Sequence, residues 1–182
     1  IGGLATKGLY DQILNWRTPN QVDVVFGDGE LIASAVIEGT MTEAPIKENG
    51  NKRAFQVDKQ SEYYVKDISP LPLSRKYFVN EPVNHPFGFV EANIIASRGC
   101  IYNCSFCAAA SSVNRELGVR ERSAESLCKE LEEIAVNYPT VTSIRVLDDL
   151  FLKHASYVPK AAEVFSKFRF SWRGMAHVQT FQ

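Results

Sequence analysis

The clearest hydrophobic period in the chain runs over residues 123–138. Leu127, Cys128, Leu131, Ile134, Ala135 and Tyr138 recur at three- and four-residue spacing, so they share one helical face. Ser123 stands where an N-cap belongs, Glu125 suits the positive end of the helix dipole, and Pro139 stops the helix. Cys128 on that face reads as a small buried hydrophobe. Upstream, residues 8–17 put Leu9, Ile13 and Trp16 on one helical face that Pro19 and Asn20 end, and residues 22–26 follow as a short apolar strand. Residues 27–30, Gly-Asp-Gly-Glu, read as the turn into a second helix through Leu31, Ala35 and Val36. Residues 39–62 lose all periodicity and predict a linker or a hairpin, while Pro70 and Pro72 force residues 65–73 to be extended. A β-rich run over 87–97, a strand over 141–147, a helix through Val158, Ala161, Ala162, Val164, Phe165 and Phe168, and a strand over 169–176 complete the series. Strand and helix alternate, so the fold class is α/β.

Composition adds mainly exclusions. Of 182 residues, 45% are hydrophobic and 23% charged, as in ordinary globular proteins, and a formal net charge of -1 supplies no basic field for nucleic acid or anionic lipid. No apolar run is long enough to span a membrane, and the first residues lack the pattern of a secretory signal. Four cysteines, three of them bunched, do not form a disulfide framework and suit a reducing compartment, so a cytoplasmic location is expected.

The bunched cysteines carry the most chemistry. Cys100, Cys104 and Cys107 stand at a C-x3-C-x2-C spacing, after Arg98 and Gly99 and at the end of the 87–97 strand. Thiolates this close must share one metal centre, remain idle or pair unevenly in a disulfide, and the first fits best. A structural zinc site would need a second pair of ligands, yet Cys128, His85, His154 and His177 are scattered singly. A cubane iron-sulfur cluster can be held by thiolates on three irons, leaving the fourth for a non-protein ligand.

With Phe106 just before the third cysteine, this arrangement resembles the signature of the radical S-adenosylmethionine (radical SAM) superfamily. The resemblance implies a 4Fe-4S cluster on Cys100, Cys104 and Cys107, with SAM on the open iron and cleaved on reduction to methionine and a 5'-deoxyadenosyl radical. It makes Phe106 a cofactor contact. Asp148 and Asp149, ahead of Leu150 and Phe151, are similar to the Asp-Asp-x-Phe run of the cobalamin-type members, where this strand end helps to hold SAM. One of the two carboxylates is expected to accept from SAM's amino or ribose groups.

Further matches to that subfamily lie upstream. Gly2 and Gly3 resemble a glycine pair near the nucleotide tail of cobalamin, the run from Val22 to Glu30 resembles the one that follows it, and Asp67 to Pro72 resembles the connector before the barrel. As bare residues, the glycines are equally tight turns and the connector any Pro-rich linker. The Asp-x-His-x-x-Gly segment that supplies a cobalt ligand in some cobalamin proteins has no counterpart here. The implied organisation is the C-terminal part of a Rossmann-like cobalamin-binding domain over 1–40, a linker over 41–86, and over 87–182 the first βα units of a partial (βα)6 TIM-like barrel. The chain therefore reads as a piece of a longer protein.

The implied activity is radical SAM catalysis, by the deoxyadenosyl radical or by cobalamin-dependent methyl transfer to an unactivated carbon of a small-molecule substrate. A flavodoxin or ferredoxin is the expected reductant. Two alternatives stand beside it: a methylthiotransferase-type radical SAM enzyme acting on tRNA or a ribosomal protein, and a non-catalytic iron-sulfur or zinc-binding module.

Overall fold

Residues 24–26 are apolar at consecutive positions, so a strand over 22–26 presents apolar side chains to both of its faces, and this organises the first of two compact units, Ile1–Lys66 with Asn103–Gly118. The computed structural model describes residues 1–3, 6–71, 74–77, 81–111 and 114–181. In the first unit α1 (Thr6–Leu14), β1 (Val22–Phe26) and α2 (Glu30–Glu38) precede a hairpin of β2 (Lys47–Asn49) and β3 (Lys52–Gln56). β3 lies between the other two strands, parallel to β1 with Val22 opposite Lys52, and antiparallel to β2. Val24 and Phe26 face α1 with Ile13, Leu14 and Ala54, whereas Val25 faces α2 with Ile32, Ala35 and Phe55. The aperiodic stretch read as a linker or hairpin thus holds a hairpin.

Helix α1 corrects one expectation. It ends at Leu14, so Trp16 lies beyond it, and Leu9 and Trp16 are exposed while Thr6, Ile13 and Leu14 are buried. Two motif residues have local reasons of their own. Gly27 has φ 110°, and a Cβ there would come within 2.1 Å of the Val57 carbonyl oxygen, so only glycine fits. Asp28 is buried and accepts from the Val65 N–H at 3.3 Å.

The second unit, Asp67–Tyr102 with Val119–Gln182, is built on a four-stranded sheet. Its elements are β4 (Val83–Asn84), β5 (Val90–Ile94), β6 (Ser97–Arg98), β7 (Arg120–Glu121), α3 (Ala124–Asn137), β8 (Ser143–Val146), α4 (Tyr157–Phe165) and β9 (Ser171–Arg173). The order is β4-β5-β8-β9, with β5, β8 and β9 parallel and β4 antiparallel at one edge, while β6 and β7 form a separate antiparallel pair. The run over 87–97 is therefore two short strands rather than one. Pro72 of the expected connector, with Leu73, lies outside the described residues.

Both helices pack on the same face of the sheet. Leu127, Leu131 and Ile134 of α3 and Ala161, Val164 and Phe165 of α4 join Ala92, Ile94, Ile144 and Val146 in one core. Leu131, Ile134, Ile94 and Ile144 are fully buried, each contributing about 1.5–3 kcal/mol over an exposed side chain. Ser123 caps α3 as expected, accepting from the Ser126 N–H at 3.1 Å. Ala135, expected on the buried face of α3, is exposed, and Glu130 is buried instead. The protein is thus mixed α/β with three small sheets, and no closed barrel is present among the described residues. No described helix is long and apolar enough to cross a membrane.

Glu130 is buried because two arginines need it. Arg75, in a 3-10 turn over Arg75–Tyr77, and Arg122 both donate to its carboxylate. Arg75 also donates to Glu81 at 2.9 Å and to the Asn93 carbonyl at 2.8 Å, and Arg122 to the Ile95 carbonyl at 3.0 Å and to Ser126. This network fastens the segment before β4 to α3 and β5.

Candidate functional site

Within the second unit, the chain leaves β5 and forms β6 before the cysteine loop begins. Gly99 has φ 86°, a conformation that favours glycine, and it turns the backbone directly into Cys100. The Cys100 thiol is half-buried and accepts from the Tyr102 N–H at 3.4 Å. The Tyr102 ring stacks on His177, with centroids 4.1 Å apart, so a residue beyond β9 fixes the start of the loop.

The root of that loop is tied from the next strand. Asp148, just past β8, is 4% exposed; its carboxylate accepts from the Ala96 N–H at 2.8 Å and from the Ser97 hydroxyl at 2.6 Å. Ser97 in turn accepts from the Lys153 ammonium at 2.8 Å. Burial holds the Asp148 carboxyl above the usual carboxylate range, opposed by its Ser97 and Ala96 hydrogen bonds and by Lys153. Asp148 is thus spent on positioning residues 96 and 97. Asp149 is exposed, and no hydrogen bond to its side chain is found among the described residues, so it is the spare carboxylate of the pair.

Cys104 and Cys107 belong to the first unit. The Cys107 N–H donates to the Cys104 carbonyl at 3.1 Å and the Ala110 N–H to the Cys107 carbonyl at 3.1 Å, so both thiols sit on consecutive tight turns. Asn114 closes the segment by donating to the Ala108 carbonyl at 2.8 Å. Both thiols are free and half-buried, and Phe106 between them is 91% exposed. Gly2 and Gly3 are exposed; Gly3 has φ 106°, and a Cβ on Gly3 would meet nothing, one on Gly2 only the Val25 carbonyl at 3.8 Å. Cys128, on α3, is half-buried against the core, as its helical position suggests. Among the described residues, no three His, Cys, Asp or Glu side chains stand together as the ligands of a metal ion would.

Sequence reasoning missed the supporting residues Ser97, Glu121, Lys153 and Tyr157. Lys153 alone left a signal: it follows the apolar run Leu150-Phe151-Leu152, all buried, and is itself 3% exposed. Its ammonium stands 3.6 Å from Glu121, which also accepts from the Tyr157 hydroxyl. Burial, and then that carboxylate, push the Tyr157 phenol up to about 12. On the opposite face of the sheet, which no described helix covers, Arg145, Leu147, Arg173 and Met175 line an open cavity of about 330 Å³.

Comparison with family models, with curated proteins and with solved structures found no match.

Proposed function

We propose that this chain carries the cluster-binding part of a radical SAM enzyme, with a Rossmann-like unit ahead of the opening βα units of a partial barrel. The observation that carries the reading is the C-x3-C-x2-C spacing of three free, half-buried thiols in the segment that follows β5 and β6. Two further features support it. The parallel strands β5, β8 and β9 have both crossover helices on one face, as a barrel requires, and the loop leaves at their C-terminal side, where such folds build their sites.

The donor set fits a soft iron-sulfur group by its chemistry: three thiols, none in a disulfide. Cys100, Cys104 and Cys107 would hold it. When bound, a 4Fe-4S cluster with one open iron supplies the electron that cleaves SAM to methionine and a 5'-deoxyadenosyl radical. The protein's own residues do the positioning. Gly99 and the Tyr102 N–H orient Cys100, Asp148 holds the loop root, Asp149 accepts from SAM's amino or ribose groups, and Phe106 offers an exposed aromatic surface to the nucleoside. The uncovered sheet face with Arg145 and Arg173 would receive a small-molecule substrate. A methyl-transfer branch through cobalamin rests on Gly2, Gly3 and the run to Glu30, and no step is derived through it. A flavodoxin- or ferredoxin-type reductant in the cytoplasm completes the reading.

The test is anaerobic reconstitution with iron and sulfide, then incubation with SAM and dithionite and chromatography of the products. Methionine and 5'-deoxyadenosine should appear in equal amounts, and Cys104→Ala should abolish both. A loaded protein that leaves SAM intact, or equal product from Cys104→Ala, would overturn the proposal.

A further inference from the structure

Buried Lys153 lines a half-open cavity of about 120 Å³ in the second unit, between α3, α4 and the β5–β6 junction. This cavity lies on the helix side of the sheet, away from the face described above, and nothing in the proposed radical chemistry uses it. Its floor is apolar, with Leu127, Phe151, Ala161, Val164 and Phe165. Its polar wall carries three cations, Arg122, Lys153 and Lys160, against one carboxylate, Glu121.

The cations are not equivalent. Arg122 is fully engaged with Glu130, Ser126 and the Ile95 carbonyl; Lys153 and Lys160 both stand over the Tyr157 ring, 5.1 and 5.0 Å from its centroid, but Lys160 is exposed and Lys153 is buried. Lys153 makes one hydrogen bond among the described residues, to Ser97, and its nearest carboxylate oxygen is 3.6 Å away. An ammonium has three N–H donors, and one that is 3% exposed has little water to take up the others. Buried charge without full pairing is costly, so the donors left over call for an acceptor inside the cavity. Glu121 pairs with the ammonium in charge, but its Oε1 at 3.6 Å lies beyond hydrogen-bond distance and leaves those N–H donors without an acceptor. An anion does fill it, and an apolar floor selects an anion with a hydrocarbon tail.

We infer that this cavity binds a short-chain carboxylate, its oxygens on Lys153 and its alkyl part against Ala161, Val164 and Phe165. The inference stands independently of the radical SAM reading. A cavity this small takes a ligand of only a few carbons, so straight-chain acids near butyrate should bind best.

Trp172 reports on the site, because its ring stacks on Phe165 with centroids 4.8 Å apart. The experiment titrates the full chain, carrying Trp16→Phe to isolate that signal, with acetate, butyrate, butyramide and inorganic phosphate, following fluorescence and calorimetry. Butyrate should bind at least about tenfold more tightly than butyramide, its neutral isostere, or phosphate, which has no tail. Lys153→Met should lower butyrate affinity by about tenfold or more, and Ala161→Leu, which fills the floor while leaving the ammonium in place, should do the same. Equal binding of butyrate and butyramide, phosphate binding as tight as butyrate, or no butyrate binding at all would overturn the inference. If Lys153→Met does not fold, Ala161→Leu decides: wild-type affinity in that variant also overturns it.

Discussion

The second unit holds two groups of charged and polar side chains, and they differ in how completely their members satisfy one another. In the first, Arg75, Glu81, Glu130 and Arg122 bond one another: Glu130 takes one arginine on each oxygen, and other guanidinium donors reach backbone carbonyls, Ser126 and Glu81. In the second, Asp148, Ser97, Lys153 and Glu121 form a chain whose lysine keeps donors in reserve beside a cavity. A closed set of buried charges specifies architecture, because removing any member strands the others. An open set next to free volume is where a ligand can complete the bonding. The difference separates what fastens the connector before β4 from what surrounds the root of the cysteine loop.

Breaking the closed set should have the largest effect. Glu130→Ala strands two buried guanidinium groups, whose side chains are only 4% and 6% exposed, and should cost about 3–5 kcal/mol in urea unfolding. Asp148→Ala removes the acceptor for the Ala96 N–H and the Ser97 hydroxyl and should cost about 1–3 kcal/mol. The Asp148 carboxyl also titrates above its unfolded value, so the folded protein binds more protons between those two values. Stability therefore falls as pH rises through that window, and Asp148→Asn should lack this part of the decline in a pH series of unfolding curves. Ser123→Ala deletes the α3 cap and should cost about 1 kcal/mol by the same assay. Lys153→Met, by contrast, removes an incompletely paired charge from the open set and should change stability by less than about 1 kcal/mol. The smallest effect is expected at exposed Asp149, where Asp149→Ala should stay within about 0.5 kcal/mol in stability while weakening SAM-dependent turnover.

What the sequence made legible followed from local rules. The α3 cap, the apolar face through Leu127, Leu131 and Ile134, and the short apolar strand β1 are set by nearest neighbours and period, and the structure has them as read. Of the face read through Leu9, Ile13 and Trp16, Trp16 failed because α1 ends at Leu14, before it can join, and Leu9 failed because it lies on the exposed side of α1. Glu130 escaped notice because a glutamate on an apolar helical face reads as exposed until partners from distant segments, Arg75 and Arg122, are brought to it. The same limit applies at the site. The cysteine spacing is visible in ten residues, and the pair Asp148-Asp149 is visible as a pair, but which aspartate is spare depends on Ala96 and Ser97, some fifty positions away. Lys153 was readable only as a charge in an apolar run, and its cavity only in three dimensions.

The central claim is that Cys100, Cys104 and Cys107 hold one cluster with an open iron. The most direct measurement is electron paramagnetic resonance of the anaerobically reconstituted, dithionite-reduced protein with and without SAM. The account predicts a reduced 4Fe-4S signal that shifts when SAM is added and is lost in Cys104→Ala. A protein that retains one zinc and no iron, or a cluster signal indifferent to SAM, would contradict it.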